Sequence, residues 1–310
     1  MKFPIYFSKK IAFSKDNKNN LSRVIVFIGR LSVALGIIVS LVTVSTGLGS
    51  KKAIKNRMAD FVGHISVKST KSNSSYNSSV LHQEGLNVKG IQNLPDVSNT
   101  QSYATVSGIL RTEENFAGVI LKGVAKDFDA ERFQSFMVAG EVPKFTEEGY
   151  NNQVILSDKI ANDLHLKPKD SIVAIFSKED QQPIYRKFEI SGIYKTDIKM
   201  IDDLFIIGDI NHVRKIQDMA KTEVGGIDIF LKDSDDIDAV YPKIEKLIGY
   251  KNYAEKATDK YPQIVDWINI FDTNIGLIIT IMLIVVVINI IMVLLILIIE
   301  RTNSIGMLKT

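Results

Sequence analysis

The chain contains no cysteine. That absence excludes disulfides, thiolate nucleophiles and thiolate zinc sites together, although it leaves the redox compartment open. Proline is confined: the seven prolines (Pro4, Pro95, Pro143, Pro168, Pro183, Pro242, Pro262) leave residues 5–94 and 263–310 free of it. Nothing in those two stretches forces a kink, so a helix can run through either. Histidine is scarce too, and His64, His82, His165 and His212 show no HxxxH spacing, which argues against a metal site. Charge is absent altogether from residues 273–299.

That charge-free run is the most informative feature present. Leu277 to Ile299 is almost entirely Ile, Leu, Val and Met. As a helix it covers about 35 Å, enough to cross a hydrocarbon core of about 30 Å with some tilt. A second run, Val24 to Gly49, carries Arg30 as its sole charge. Arginine costs about 2.5 to 3.5 kcal/mol at mid-bilayer, but Arg30 lies near the end of its run, within snorkelling reach of headgroups. Two such runs read as membrane spans at 24–49 and 273–299. A buried core helix explains them poorly, and a cleaved signal peptide fits neither the long charged leader nor the long apolar stretch.

Residues 1–23 hold six basic side chains (Lys2, Lys9, Lys10, Lys15, Lys18, Arg23) against Asp16, so this segment is expected to stay cytoplasmic. Residues 62–299 hold 25 basic and 32 acidic side chains, and this segment carries no nucleic-acid footprint. The cluster Lys51, Lys52, Lys55 and Arg57 taken alone favours the reverse orientation, but long translocated domains largely escape the charge rule.

Residues 50–272 have ordinary globular composition and are expected to form an α+β, mainly antiparallel, extracytoplasmic domain. Strands are expected near 64–68, 116–123, 154–156, 171–176, 186–194, 204–207 and 227–231. Helices are expected at 158–164, capped by Ser157, at 210–219 and at 236–247. The first span is expected to continue as a helix through Ser50 to Phe61, and Gln263 to Asn274 to lead into the second. Ser69 to Ser79 reads as a loop, and its two Asn-Ser-Ser sequons as chance. The adjacent acids Glu113/Glu114, Glu147/Glu148, Asp202/Asp203 and Asp235/Asp236 point to opposite faces of a strand and read as solvated surface rather than catalytic pairs. Gly47-Leu48-Gly49-Ser50-Lys51 lacks the spacing of a phosphate loop. No catalytic residue, metal ligand or cofactor is expected.

The spans offer candidate contact residues. Ser32, Gly36 and Ser40 recur every fourth position, as do Thr43 and Gly47, making a small-residue seam for helix approach. Asn289, central in the second span, is expected to make an interhelical hydrogen bond. Charge returns abruptly at Glu300-Arg301, followed by Ile305-Gly306-Met307-Leu308-Lys309. Residues 300–310 therefore read as a short element set against a cytoplasmic partner.

At these residues a resemblance emerges. Phe7-Ser8-Lys9-Lys10-Ile11-Ala12-Phe13, Leu21-Ser22-Arg23, Ser32-Val33-Ala34-Leu35-Gly36 and Phe61-Val62-Gly63-His64-Ile65 resemble the start of a lipoprotein-releasing (LolC/LolE-type) permease of the MacB/FtsX superfamily. Leu121-Lys122-Gly123-Val124, Asn162 to Lys167, Phe188 to Tyr194, Val224 to Lys232, Ile288-Asn289-Ile290 and the Glu300 to Lys309 junction are similar to the same family. The resemblance implies a MacB-like periplasmic core domain with a discontinuous Porter lobe (about 61–124 and 206–262) and an inserted Sabre lobe (about 125–205). It implies a multi-pass protein of a bacterial inner membrane, non-catalytic itself, and partnered by a cytoplasmic ABC ATPase seated against Glu300, Arg301, Ile305, Gly306, Met307, Leu308 and Lys309. It further implies a second permease subunit, a lipoprotein substrate drawn from membrane lipid, and a periplasmic carrier protein. Members of the family continue into two further spans, so the chain reads as truncated after the second. The rival readings are a MacB-like efflux permease, an FtsX-like regulatory permease, and a two-span sensor or adhesin without an ATPase.

Overall fold

The computed structural model describes residues 20–72, 76–82, 84–146, 149–177 and 182–307. The expected acidic pair Glu147/Glu148, the first sequon, most of the N-terminal segment, Leu308 and Lys309 lie outside them. The described chain forms two units, one from Met1–Lys52 with Asp266–Thr310 and one from Ala53–Val265.

Each proline-free apolar run is one helix. Helix α1 spans Asn20–Val62, so the first run continues outward without interruption. The C-terminal helix spans Pro262–Met307, with Pro262 at the first helical position, where its missing N–H is no loss. Both contain a stretch long and apolar enough to cross a membrane. In the first unit they bury a narrow stripe. Gly29 and Gly36 are buried and Val33, Ser40, Thr43 and Gly47 half-buried on one side; Ile275, Ile278, Met282, Val286, Asn289 and Val293 are half-buried on the other. The spacing is built of steps of three and four, the seam of two helices packed at a shallow angle. The remaining surface, including Leu31, Leu41, Ile284 and Ile299, is apolar and exposed, as a lipid-facing surface would be. Helix continuity persists through residues 300–307, where the sequence predicts a separate short element. Glu300 and Arg301 are good helix formers, and one glycine at 306 is too weak a break.

The second unit is built on strands β1 (Ile65–Ser69), β2 (Val97–Arg111), β3 (Phe116–Val124), β4 (Met137–Gly140), β5 (Gln153–Ser157), β6 (Ser171–Phe176), β7 (Ile184–Tyr194), β8 (Phe205–Asp209), β9 (Gly226–Leu231) and β10 (Asn252–Lys256). Among the described residues they form one sheet in the order β10-β1-β9-β2-β3-β8-β5-β7-β4, with β6 joining β2 to β7. Pairing is antiparallel except for β3 with β8 and β5 with β7. The strands between residues 125 and 205 pair chiefly on β7 and join the rest through β6 to β2 and β5 to β8. Ile65, Val106, Leu121, Ile206, Ile229, Phe176 and Phe188 are among the fully covered core side chains.

Short helices follow in chain order: α2 (Val88–Gln92), α3 (Ala130–Gln134), α4 (Asp158–Asp163), α5 (Lys199–Asp202), α6 (Ile210–Ile216), α7 (Ile237–Glu245) and α8 (Ala257–Lys260), with Pro262–Met307 as α9. Ser157 caps α4 as its sequence predicts: its Oγ accepts from the Ile160 N–H at 3.1 Å and donates to the Asp202 carbonyl at 2.5 Å.

Candidate functional site

The sheet unit receives α1 through a short, tightly bonded exit. Val62 is the last helical residue, and Gly63 follows at φ +79°, the left-handed conformation that ends helices. The Gly63 N–H donates to the Ala59 carbonyl at 2.8 Å, and the His64 N–H donates to the Ile229 carbonyl on β9 at 2.9 Å. A Cβ at residue 63 would stand 2.9 Å from the Asp228 Cβ, so glycine is required here both by conformation and by space.

One more helical carbonyl at that end needs a partner, and an ammonium group supplies it. Lys122 Nζ donates to the Phe61 carbonyl at 3.0 Å and to Asp228 Oδ2 at 2.7 Å. Ser66 Oγ donates to the other carboxylate oxygen, Oδ1, at 2.5 Å. The two charged side chains are only 9% and 2% exposed, so both have left water. They are brought together because β3 is buried along its last six residues and β9 along its whole length, leaving Lys122 and Asp228 no route outward. Ser66 and Asp228 are directly opposed in the β1–β9 pairing. Burial holds the Lys122 ammonium below the ordinary lysine range, and the Asp228 carboxylate opposes that shift. Such a pair adds little net stability over an apolar replacement, but losing one member strands a buried charge.

Around this pair, Phe61 is clamped by aromatic rings. It stacks on Tyr194 at 5.5 Å between centroids and meets Phe205 edge-on at 5.8 Å and Phe136 at 6.3 Å. The Lys122 ammonium lies 5.5 Å from the Phe61 centroid and 5.2 Å from that of Tyr103. One turn back, Arg57 Nη1 donates to Asp197 Oδ2 at 2.8 Å, and Lys195 Nζ lies 2.9 Å from the other oxygen. Asp197 belongs to a turn built by Asp202, whose carboxylate accepts from Thr196 N–H (3.0 Å), Thr196 Oγ1 (2.7 Å) and Asp197 N–H (3.0 Å). Asp202 is 7% exposed, which corrects the solvated reading of the Asp202/Asp203 pair. Neighbouring acids in sequence faced different environments, and the buried one organises a turn.

The residues that the sequence singles out in the spans lie elsewhere, in the first unit. A Cβ on Gly36 would lie 3.3 Å from Val286 Cγ2 and 3.4 Å from Met282 Cε, and one on Gly47 would lie 2.3 Å from Ile275 Cδ1. Ser32 and Ser40 are half-buried on the same helix. Asn289 does not bond across to α1: its Nδ2 donates to the Val285 carbonyl of its own helix at 3.1 Å. Lys51 Nζ pairs with Asp272 Oδ2 at 2.5 Å. Glu300, Arg301, Ile305, Gly306 and Met307 lie on the last turns of α9. Among the described residues no group of acids and histidines is placed to hold a metal.

The exit from α1 escapes a motif search, yet it leaves a mark. Lys122 is the lone charge in Phe116–Val124, and Asp228 the lone charge in Gly226–Leu231, with opposite signs. Two apolar strands each carrying one buried charge of opposite sign must pair them or pay the desolvation of each alone.

The sequence profile of the MacB-like periplasmic core domain matches residues 30–247. Solved structures with a similar fold include the extracellular domain of the noncanonic ABC-type transporter YknZ from Gram-positive bacteria, 15% identical, covering 62% of this chain and 99% of that one at a TM-score of 0.42. They also include the periplasmic region of MacB from Actinobacillus actinomycetemcomitans, 14% identical, covering 65% of this chain and 92% of that one at a TM-score of 0.42. No curated protein matches the chain.

Proposed function

The chain belongs to the MacB-like periplasmic core domain family, within the MacB/FtsX superfamily of ABC transporter permeases, and on that premise we propose that it serves as the permease subunit of an ABC-type lipoprotein-releasing system. In this reading α1 and α9 cross the inner membrane and the sheet unit stands in the periplasm, its strands from 125 to 205 forming the Sabre lobe and the remainder the Porter lobe. A cytoplasmic ABC ATPase engages the residues from Glu300 onward, and a second permease subunit completes the assembly. The chain itself hydrolyses nothing; it transmits movement.

One observation carries the reading. A single uninterrupted helix runs from an apolar, membrane-length segment into a sheet domain, and its last turn is fastened there by Gly63, Lys122 and Asp228. Within the sheet unit, a helix end so tied to two core strands is the kind of fixed attachment that a mechanical transducer requires. Lipoprotein as cargo is supported by the resemblance of the exit segment Phe61 to Ile65 and the Glu300 to Lys309 junction to lipoprotein-releasing permeases. The second reading, efflux of the MacB kind, is favoured by the family profile itself.

The test is to purify the native protein with its ATPase, reconstitute it in lipid discs, and follow ATP hydrolysis with acylated and unacylated forms of one lipoprotein. Severalfold stimulation by the acylated form alone is expected. An intact complex that responds to neither form would remove the lipoprotein reading and leave the efflux or regulatory permease.

A further inference from the structure

The sheet unit contains a cavity of about 560 Å³ that the transducer reading does not use. Two ammonium groups, Lys68 and Lys260, line it together with one carboxylate, Glu255. Glu255 is already engaged: its Oε2 accepts from Lys68 Nζ at 2.6 Å. Lys260 makes no ion pair among the described residues, its ammonium lying over the rings of Tyr261 at 5.2 Å and Tyr103 at 5.9 Å. Burial first, and then the charge of Lys260, hold Lys68 below the ordinary lysine range, while Glu255 opposes that shift.

Polar groups at the start of α9 lie beside the same cavity. Tyr261, a wall residue, is 3% exposed, and its hydroxyl lies sealed behind that wall without a hydrogen-bond partner among the described residues. At the start of α9 the N–H groups of Ile264 and Val265 both reach the Tyr261 carbonyl, whereas that of Gln263, which also lines the cavity, finds no acceptor among the described residues. That N–H stands at the positive end of a 46-residue helix. Tyr76 and Tyr253 add hydroxyls and ring faces. An unpaired ammonium, a helix-start N–H and aromatic walls in a space several times larger than one phosphate suit an anion attached to an organic part.

We propose that this cavity binds an organic phosphate, with Lys260 as the principal cation and Glu255 holding Lys68 in position. A phospholipid headgroup and a free phosphate ester share this chemistry. The proposal goes beyond the transport reading and stands or falls without the ATPase or the cargo.

The full chain in a neutral detergent is titrated by calorimetry with sn-glycerol 3-phosphate and with dihexanoylphosphatidylglycerol. Saturable binding of at least one probe is expected. Lys260→Gln should weaken it about tenfold, as expected for one lost charge-assisted contact. Lys260→Arg should retain most of the affinity, and Lys246→Gln, at an exposed position, should leave it unchanged. Binding of the lipid alone assigns the site to a membrane headgroup, and equal binding of both assigns it to free phosphate esters. Absence of saturable binding of either probe to the folded wild-type chain, or binding untouched by Lys260→Gln in a variant with unchanged melting, overturns the proposal.

Discussion

Lys122 and Asp228 sit 2.7 Å apart with almost no water around them, and the consequence is asymmetric. Lys122→Met should destabilise the sheet unit by about 3–5 kcal/mol, because it leaves the Asp228 carboxylate buried with Ser66 as its remaining partner. The double variant Lys122→Met with Asp228→Leu should recover most of that loss in chemical denaturation followed by circular dichroism; no recovery would mean that the pair does more than neutralise itself. His64 acts through its own protonation. It is 5% exposed and its Nδ1 accepts from the Leu231 N–H at 3.1 Å. Burial, reinforced by Arg132, pushes it down to about 4 from an ordinary value of 6.5. The unfolded chain therefore takes up this proton below about pH 6.5 and the folded chain only below about pH 4. Stability is full above the upper value and falls through that window, by about 3 kcal/mol from this group. His212, also lowered chiefly by burial, adds a slope of the same sign. The unfolding midpoint should thus drop between pH 7 and pH 4.5, and His64→Gln should flatten the drop.

Among elements, the end of α1 is the most constrained. Gly63→Ala should cost at least about 1 kcal/mol through its positive φ, and more if the Asp228 Cβ cannot retreat, whereas a substitution at the open position Gly118 should cost far less. In the other unit, Gly47→Leu should lower the thermal midpoint of the detergent-solubilised chain, by about 1–3 kcal/mol of overpacking against Ile275, while Ser40→Ala should not. Elements with an apolar run were readable in advance: β3, β5 to β9 and α1 fall within a few residues of their expected limits, and α9 departs from them only by continuing to Met307. Strand β2 was not, although at fifteen residues it is the longest. Its buried positions include Thr100 and Gln101, and Thr100 is held by a polar partner from α2, Gln92 Nε2 donating to Thr100 Oγ1 at 2.8 Å. A bulge between Val97 and Asn99 further breaks the alternation. Strand β4 is largely exposed at the sheet edge, and β10 is held by pairing with β1 rather than by its own apolar residues. Periodicity records burial by apolar side chains; it is silent where burial is secured by hydrogen bonds. For the same reason the Lys122 and Asp228 pair was visible only as two odd charges, since nothing in one dimension joins positions 122 and 228.

At the scale of the whole molecule, the proposed function makes lipid the solvent of the two apolar runs and puts the sheet unit outside the cytoplasm. The absence of cysteine makes this directly measurable, because an introduced thiol is the sole one in these 310 residues. Tyr250→Cys places it at a side chain 78% exposed on the sheet unit, and Ser14→Cys in the basic N-terminal segment. Spheroplasts carrying each variant are treated with a membrane-impermeant maleimide before and after permeabilisation. Labelling of Tyr250→Cys in intact spheroplasts, and of Ser14→Cys only once the membrane is opened, is expected; the opposite pattern, or equal labelling of both in intact spheroplasts, would contradict the proposed topology.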